Sequence, residues 1–128
     1  MNKPKVIKNA TRDTIIAKSV ELADSFWKKA KGLMFRNELE KESGLLMVFK
    51  DEDFVGIWMM FMKFPIDLIY LDSKKHVVGL FENIKPIGLN PKTWRVYYPE
   101  DPARYVLELR SGTVKKTGTK MGDILNFR

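Results

Sequence analysis

Trp58-Met-Met-Phe-Met-Lys-Phe-Pro-Ile-Asp-Leu-Ile-Tyr-Leu-Asp72 is where this chain commits to an architecture. It belongs to two apolar runs, 55–62 and 66–71, split by Lys63-Phe64-Pro65. Pro cannot donate to a central ladder, so the chain must bend at that corner. Lys63, Pro65 and Asp67 also interrupt the longest apolar window, 54–71, and a membrane span needs about 20 apolar residues with few charges. The stretch therefore reads as a pair of core strands. Asp72-Ser73-Lys74-Lys75 is a tight turn, and 76–81 is a further strand.

Outward from this hairpin the pattern repeats. Residues 6–7 and 14–22 read as strands on either side of a turn at 9–13. Asp24 or Ser25 caps a short helix through Lys31, and Gly32 ends it in a left-handed conformation. Residues 45–49 are apolar on both parities, so both faces of that strand should be covered. Asp51-Glu52-Asp53 reads as a turn. Residues 85–101 carry Pro86, Pro91 and Pro99 and read as a long ordered excursion. Residues 104–110 are a strand, Ser111 caps one helical turn ending at Gly118, and 124–127 is a last strand. Many short strands with two short helices imply a mainly β (α+β) domain, a small β-barrel or sandwich. There is no room for the long crossovers of a doubly wound sheet. One domain is expected over 1–128, with residues 1–5 as a flexible N-terminal tail.

Hydrophobic residues are 45% and charged residues 30% of the 128, an ordinary globular balance, which excludes disorder across the whole chain. The net charge of +7 permits anionic partners, but Lys is dispersed among Asp and Glu, as on a solubilising surface. There is no Cys, which excludes disulfides, thiolate metal sites and Cys nucleophiles. Absence of Gln beside abundant Lys and Glu suggests a thermophile, although six Asn residues weaken this. The N-terminus lacks an apolar leader segment, so the expected location is the cytoplasm, with no membrane attachment.

Four segments in order carry a family resemblance: Gly32-Leu-Met-Phe-Arg36; Gly44-Leu-Leu-Met-Val-Phe49; Trp58-Met59 with Pro65-Ile-Asp67 and Leu71-Asp72; and Tyr105-Val-Leu-Glu-Leu-Arg-Ser-Gly112 followed by Gly122-Asp123. Together they resemble the domain of unknown function 192 family, from about Ile15 to the C-terminus. The resemblance implies a compact β-rich domain. It carries no catalytic residues over, because none are established for the family, and some relatives have an export signal. Many relatives have a polar Lys-Asn-Thr-like segment after the Trp-Met pair, where this chain has Met60, Phe61 and Met62.

Asp67 shares a strand face with Ile69 and Leu71, and a carboxylate there must be paired or hydrogen-bonded. It either caps backbone amides near Pro65, pairs with a buried Arg, or faces a ligand with Arg36 as its partner. Arg104, Glu108 and Arg110 alternate along their strand, the pattern of a solvated face or of a polar wall that orients an anion. His76, the single histidine, reads as a surface turn residue. Met47, Met59, Met60 and Met62 read as adaptable core filler rather than a copper site, since a regular strand would point them in alternate directions. Trp94-Arg-Val-Tyr-Tyr98 interleaves aromatic and basic residues, as either a nucleic-acid contact or an edge strand over the barrel mouth.

No phosphate loop, dinucleotide fingerprint or nucleophile elbow is present. A binding or accessory domain for a small anionic ligand or a partner peptide fits best, with no cofactor and no metal. The expected site is the 63–65 corner, with Arg36, Trp58, Asp67 and Glu108, and Trp94 in a segment 94–98 that closes over it as a lid. The same charged residues would alternatively form a structural ion network. An RNA- or DNA-binding module using 94–98 is the second functional reading, and a hydrolase built on Asp67 and His76 the third.

Overall fold

The computed structural model describes residues 4–128. Its ten strands are β1 (Ile7–Asn9), β2 (Thr14–Ala17), β3 (Ser19–Ala23), β4 (Ser43–Asp53), β5 (Ile57–Trp58), β6 (Ile66–Leu71), β7 (Val77–Ile84), β8 (Val96–Tyr97), β9 (Ala103–Arg110) and β10 (Leu125–Phe127). Two short helices, α1 (Phe26–Lys31) and α2 (Thr113–Thr117), complete it, with a 3-10 turn at Pro91–Thr93. The centre is a five-stranded sheet in the order β3-β4-β9-β6-β7. Only β3–β4 is parallel in it. A three-stranded sheet, β10-β1-β2, and the ribbon β5-β8 flank it. The sheets are open among the described residues, so the sandwich alternative describes this mainly β domain and the closed barrel does not.

Both faces of the central sheet are covered, which is why all six residues of β6 are buried. Leu45, Met47, Leu68, Tyr70 and Val106 pack on one face with Leu33, Met59 and Tyr97. Leu46, Ile69, Leu71, Leu107 and Leu109 pack on the other with Ile7, Ile16 and Leu125 of the three-stranded sheet. The core is thus two layers of side chains rather than one. Trp58, expected inside it, is 49% exposed. Among the described residues no helix is long and apolar enough to cross a membrane.

Several segments depart from expectation. The strand expected at 14–22 breaks at Lys18, where the Lys18 and Ser19 amides both donate to the Glu42 carbonyl, and its halves join different sheets. Residues 51–53 are not a turn; β4 runs on until Asp53 meets Ala103. The run 55–62 is strand only at Ile57–Trp58, paired with Tyr97 and Val96. It then turns, with the Met62 amide donating to the Met59 carbonyl and Phe61 at φ 61°. An apolar run without alternation does not distinguish strand from buried turn. The amides of Lys5 and Val6 donate to the Arg128 carbonyl, so the chain is already pinned at Lys5, while residues 1–3 of the expected tail lie outside the described residues.

Candidate functional site

Strand β9 carries Arg104, Val106, Glu108 and Arg110 on one side. The expected solvated face is wrong at its middle, because β9 is central rather than an edge, with Leu45 of β4 and Leu68 of β6 opposite Glu108. Glu108 is 5% exposed, and its Oε2 receives no hydrogen bond among the described residues. A buried carboxyl oxygen left unpaired costs free energy that a Leu at this position would not.

The approach of α1 sets the geometry around it. Ser25 caps the helix, its Oγ accepting from the Lys28 amide at 3.3 Å. The helix ends at Gly32, whose amide donates to the Lys28 carbonyl and whose backbone sits at φ 49°, ψ −127°. That conformation suits glycine, and the missing side chain also matters. A Cβ at Gly32 would lie 3.2 Å from Met47 Cε and 3.6 Å from Glu108 Oε2. The helix end can therefore press against the carboxyl group.

A cavity of about 50 Å³ lies there, lined by Lys29, Lys31, Gly32, Leu33, Met34, Met47, Ile57, Trp58, Met62 and Glu108. Lys29 is fixed at its rim, with Nζ donating to the Val48 carbonyl at 3.2 Å and lying 4.4 Å from the Phe49 ring centre. Beyond Met34 and Met62, Phe35 and Phe61 stack at 5.0 Å, both more than half exposed. Both have positive φ, and the Phe35 amide donates to the Phe61 carbonyl. Bulky residues rarely adopt that backbone, and such outliers cluster at functional sites.

Burial pushes the Glu108 carboxyl up to about 7, and the positive charge of Arg36 only partly offsets it. Arg36 does not pair with Glu108 or with Asp67. It forms a fork to Glu21, with both guanidinium–carboxylate distances 2.8 Å. In this apolar surrounding the neutral form of Glu108 is favoured well beyond the pH at which an exposed carboxyl ionises.

Asp67 lies on the opposite face of the sheet, fully buried. Its Oδ1 accepts from the Asn83 amide at 2.8 Å, and its Oδ2 from the Gly112 and Val114 amides at 3.1 and 2.8 Å. It is the cap of α2, a role expected of Ser111, whose hydroxyl is instead 2.8 Å from Asn83 Oδ1. The expected grouping of Arg36, Asp67 and Glu108 therefore fails both as a single pocket and as an ion network. His76 stands at the other end of the β6–β7 hairpin from Asp67, its Nδ1 3.5 Å from Asp72, so the hydrolase pair is not assembled. Trp94 is 63% exposed, with Nε1 donating to the Gly88 carbonyl. It does not line the cavity, although Val96, two residues on, pairs with Trp58.

Of the expected residues, the structure brings Glu108 and Trp58 together, with Arg36 near enough to act on Glu108 through its charge. Gly32, Lys29, Met47 and Met62 were missed as site residues. Gly32 carries a signal, its place in the first family-like segment, but its helix-capping role accounts for that glycine equally well. Met47 and Met62 carry no signal beyond their thioethers, and Met60 and Met62 do not alternate in direction as strand residues would, because 59–62 is a turn.

The family model for the domain of unknown function 192, described as an uncharacterized ACR, matches residues 6–127. The chain belongs to this family. A UPF0127 protein of Pyrococcus furiosus is 34% identical over 121 residues, covering 93% of this chain and 95% of the relative. One of Thermococcus gammatolerans is 30% identical over 122 residues, covering 95% and 74%. These relatives come from thermophilic archaea. Two crystal structures share the fold. One is a protein from Sinorhizobium meliloti titled a putative transcription regulator, with TM-score 0.82, 29% identity, and coverage of 95% of this chain and 90% of that one. The other is a protein of unknown function from Novosphingobium aromaticivorans, with TM-score 0.79, 26% identity, and coverage of 96% and 83%.

Proposed function

We propose that this member of the family is a binding or accessory domain whose site is the cavity at Glu108, and that it holds the anionic head of a small ligand or of a partner peptide. One observation carries this: a buried carboxyl oxygen with no partner beside a cavity that opens at a half-exposed Trp58. Leaving such an atom unpaired costs about 1–3 kcal/mol, so the residue destabilises its own domain unless something outside the chain satisfies it. Apolar walls with a few convergent polar groups are the usual make-up of a ligand pocket. Native mass spectrometry of freshly purified protein tests the proposal. The native chain should carry a small-molecule adduct that Glu108→Leu lacks. Identical, bare masses for the two proteins, with no ligand-induced change at Trp58 across a metabolite panel, would end it.

A nucleic-acid reading has two supports, the description of the similar Sinorhizobium meliloti protein as a putative transcription regulator and the exposed Trp94 and Tyr98 on a chain of net charge +7. The segment is less available than its sequence implies. The Trp94 indole is tied to Gly88, and the Arg95 guanidinium lies over the Tyr97 and Phe81 rings at 4.6 and 5.6 Å. Co-purified nucleic acid, with binding that weakens steeply in salt, would favour this reading over the cavity.

A further inference from the structure

We infer that the ligand at Glu108 is an amphipathic monocarboxylate, an apolar chain or ring ending in one carboxylate, whose head accepts a hydrogen bond from the neutral Glu108 carboxyl group. This rests on the cavity being the binding site. It goes further by naming the ligand's chemical class.

Three observations set the class. First, Glu108 Oε2 is buried with no donor aimed at it. A carboxyl so placed avoids charge, and its neutral form offers an O–H that needs an acceptor from outside the chain. Second, the other charged groups lining the cavity are Lys29 and Lys31, both cationic. An ammonium ligand would meet two like charges and would require Glu108 to ionise in an apolar setting. An anionic head is attracted by both lysines and needs no ionisation. Third, the cavity of about 50 Å³ is small. A single water needs about 10–15 Å³ of such space, so the cavity admits a compact head of a few heavy atoms and no ring. A phosphate brings more oxygens and a second charge against the same carboxyl. The rest of the ligand must lie outward, along lining residues such as the half-exposed Trp58, Met34 and Met62, whose chain neighbours Phe35 and Phe61 stack on each other. Those surfaces are apolar, so the stem is apolar.

Binding is then linked to the proton on Glu108. Arg36 in the loop beyond α1, itself forked to Glu21, and Tyr70 on β6 act on Glu108 through charge, and Lys29 and Lys31 at the end of α1 line the same cavity. The neighbouring β4 contributes Leu45 and Met47, which do not titrate. With Glu108 half-protonated near pH 7, a neutral-donor complex should be about tenfold weaker at pH 8 than at pH 6.

Titration with hexanoate, followed by amide and indole NMR resonances, tests this, with hexylammonium as the cationic control. Hexanoate should shift Gly32 and the Trp58 indole, about tenfold more tightly at pH 6 than at pH 8, and hexylammonium should not. Glu108→Gln keeps a donor and cannot titrate, so it should bind hexanoate equally at both pH values. Glu108→Leu, whose amide spectrum reports directly whether it folds, should bind at least tenfold more weakly than the native chain at pH 6. Tighter binding of hexylammonium than hexanoate at the same resonances would overturn the carboxylate class while leaving the cavity as the site. Silence of both probes at Gly32 and Trp58 would also overturn the class. The cavity reading itself falls only if the native-mass comparison is bare as well.

Discussion

At position 108 a carboxyl group stands where Gln or Leu would make a more stable domain, and the consequence is measurable without any ligand. The folded carboxyl is raised to about 7, against about 4.3 in an unfolded chain. Between those values the folded state holds the proton and the unfolded state has lost it, so stability falls as pH rises through this window and is level above it. The loss is on the order of 3–4 kcal/mol. Glu108→Gln should abolish this slope and exceed the native chain in stability above pH 7, while matching it more closely near pH 4. Chemical denaturation at pH 5 and pH 8 decides it, and equal native stability at the two values would remove the buried unpaired carboxyl from the account. Asp67, equally buried, meets the same desolvation with three backbone amides. Asn in its place would turn an N–H toward at least one of these donors. Asp67→Asn should cost about 1–3 kcal/mol, whereas Asp51→Asn at an exposed site should stay within about 0.5 kcal/mol of zero. Equal effects at the two positions would show that Asp67 holds nothing.

Elements differ in how much of their environment is written locally. The helix α1 with its Ser25 and Gly32 ends, and the strands β6, β7 and β9, follow from capping, turn and apolar signals within a few residues of each. The short ribbon β5–β8 does not, because it pairs residues 57–58 with 96–97 and neither half alternates strongly. Burial of Glu108 is likewise not local. Charges at 104, 108 and 110 read as a wet face until β4 and β6 flank the strand and the end of α1 closes over it. Of the residues lining the candidate cavity, Trp58 and Glu108 are legible in sequence because family-like segments contain them. Asp67 is a buried carboxylate that accepts from backbone amides, one of the roles its sequence left open, because a capping carboxylate and a ligand carboxylate look alike in sequence. Gly32 joins the element to the site. Gly32→Ala forces a side chain into a positive-φ backbone and toward Met47 and Glu108, so a loss of about 1–3 kcal/mol is expected, with altered resonances at Trp58. Unchanged stability and spectra would mean that α1 does not end against the carboxyl as described.

Across the whole molecule, the two ends of the chain build one layer. Strand β10 pairs with β1, setting Ile7 opposite Phe127, and it reaches the central sheet through the Val77 amide, which donates to the Asp123 carbonyl. The clasp is Asp123. Its Oδ2 accepts from Asn9, Arg12 and the Lys120 amide at 2.9–3.0 Å, and its Oδ1 from Arg12 at 3.1 Å. Burial alone would push this carboxyl up, but the hydrogen bonds from Arg12, Asn9 and the Lys120 amide, with the charge of Arg12, outweigh it and hold it below its ordinary value. The sign is opposite to that of Glu108. A depressed carboxyl contributes stability above its unfolded value, about 3.9, and loses it as pH falls through the folded one. The two buried carboxyls therefore pull the stability profile down from opposite sides. Melting temperature should rise from strong acid toward about pH 4–5 as Asp123 ionises, then decline toward pH 7 as Glu108 is forced to ionise. Asp123→Asn places an N–H against donors on Arg12 or Asn9. It should flatten the acid limb and lower the melting temperature at pH 7 by on the order of 5 °C, leaving the decline between pH 4.5 and 7 intact. Glu108→Gln should do the converse, removing the decline and keeping the acid limb. Thermal melts of the three proteins across pH 2–9 separate the two contributions, and an Asp123→Asn profile with an unaltered acid limb would show that the ends of the chain are held by their ladder hydrogen bonds alone.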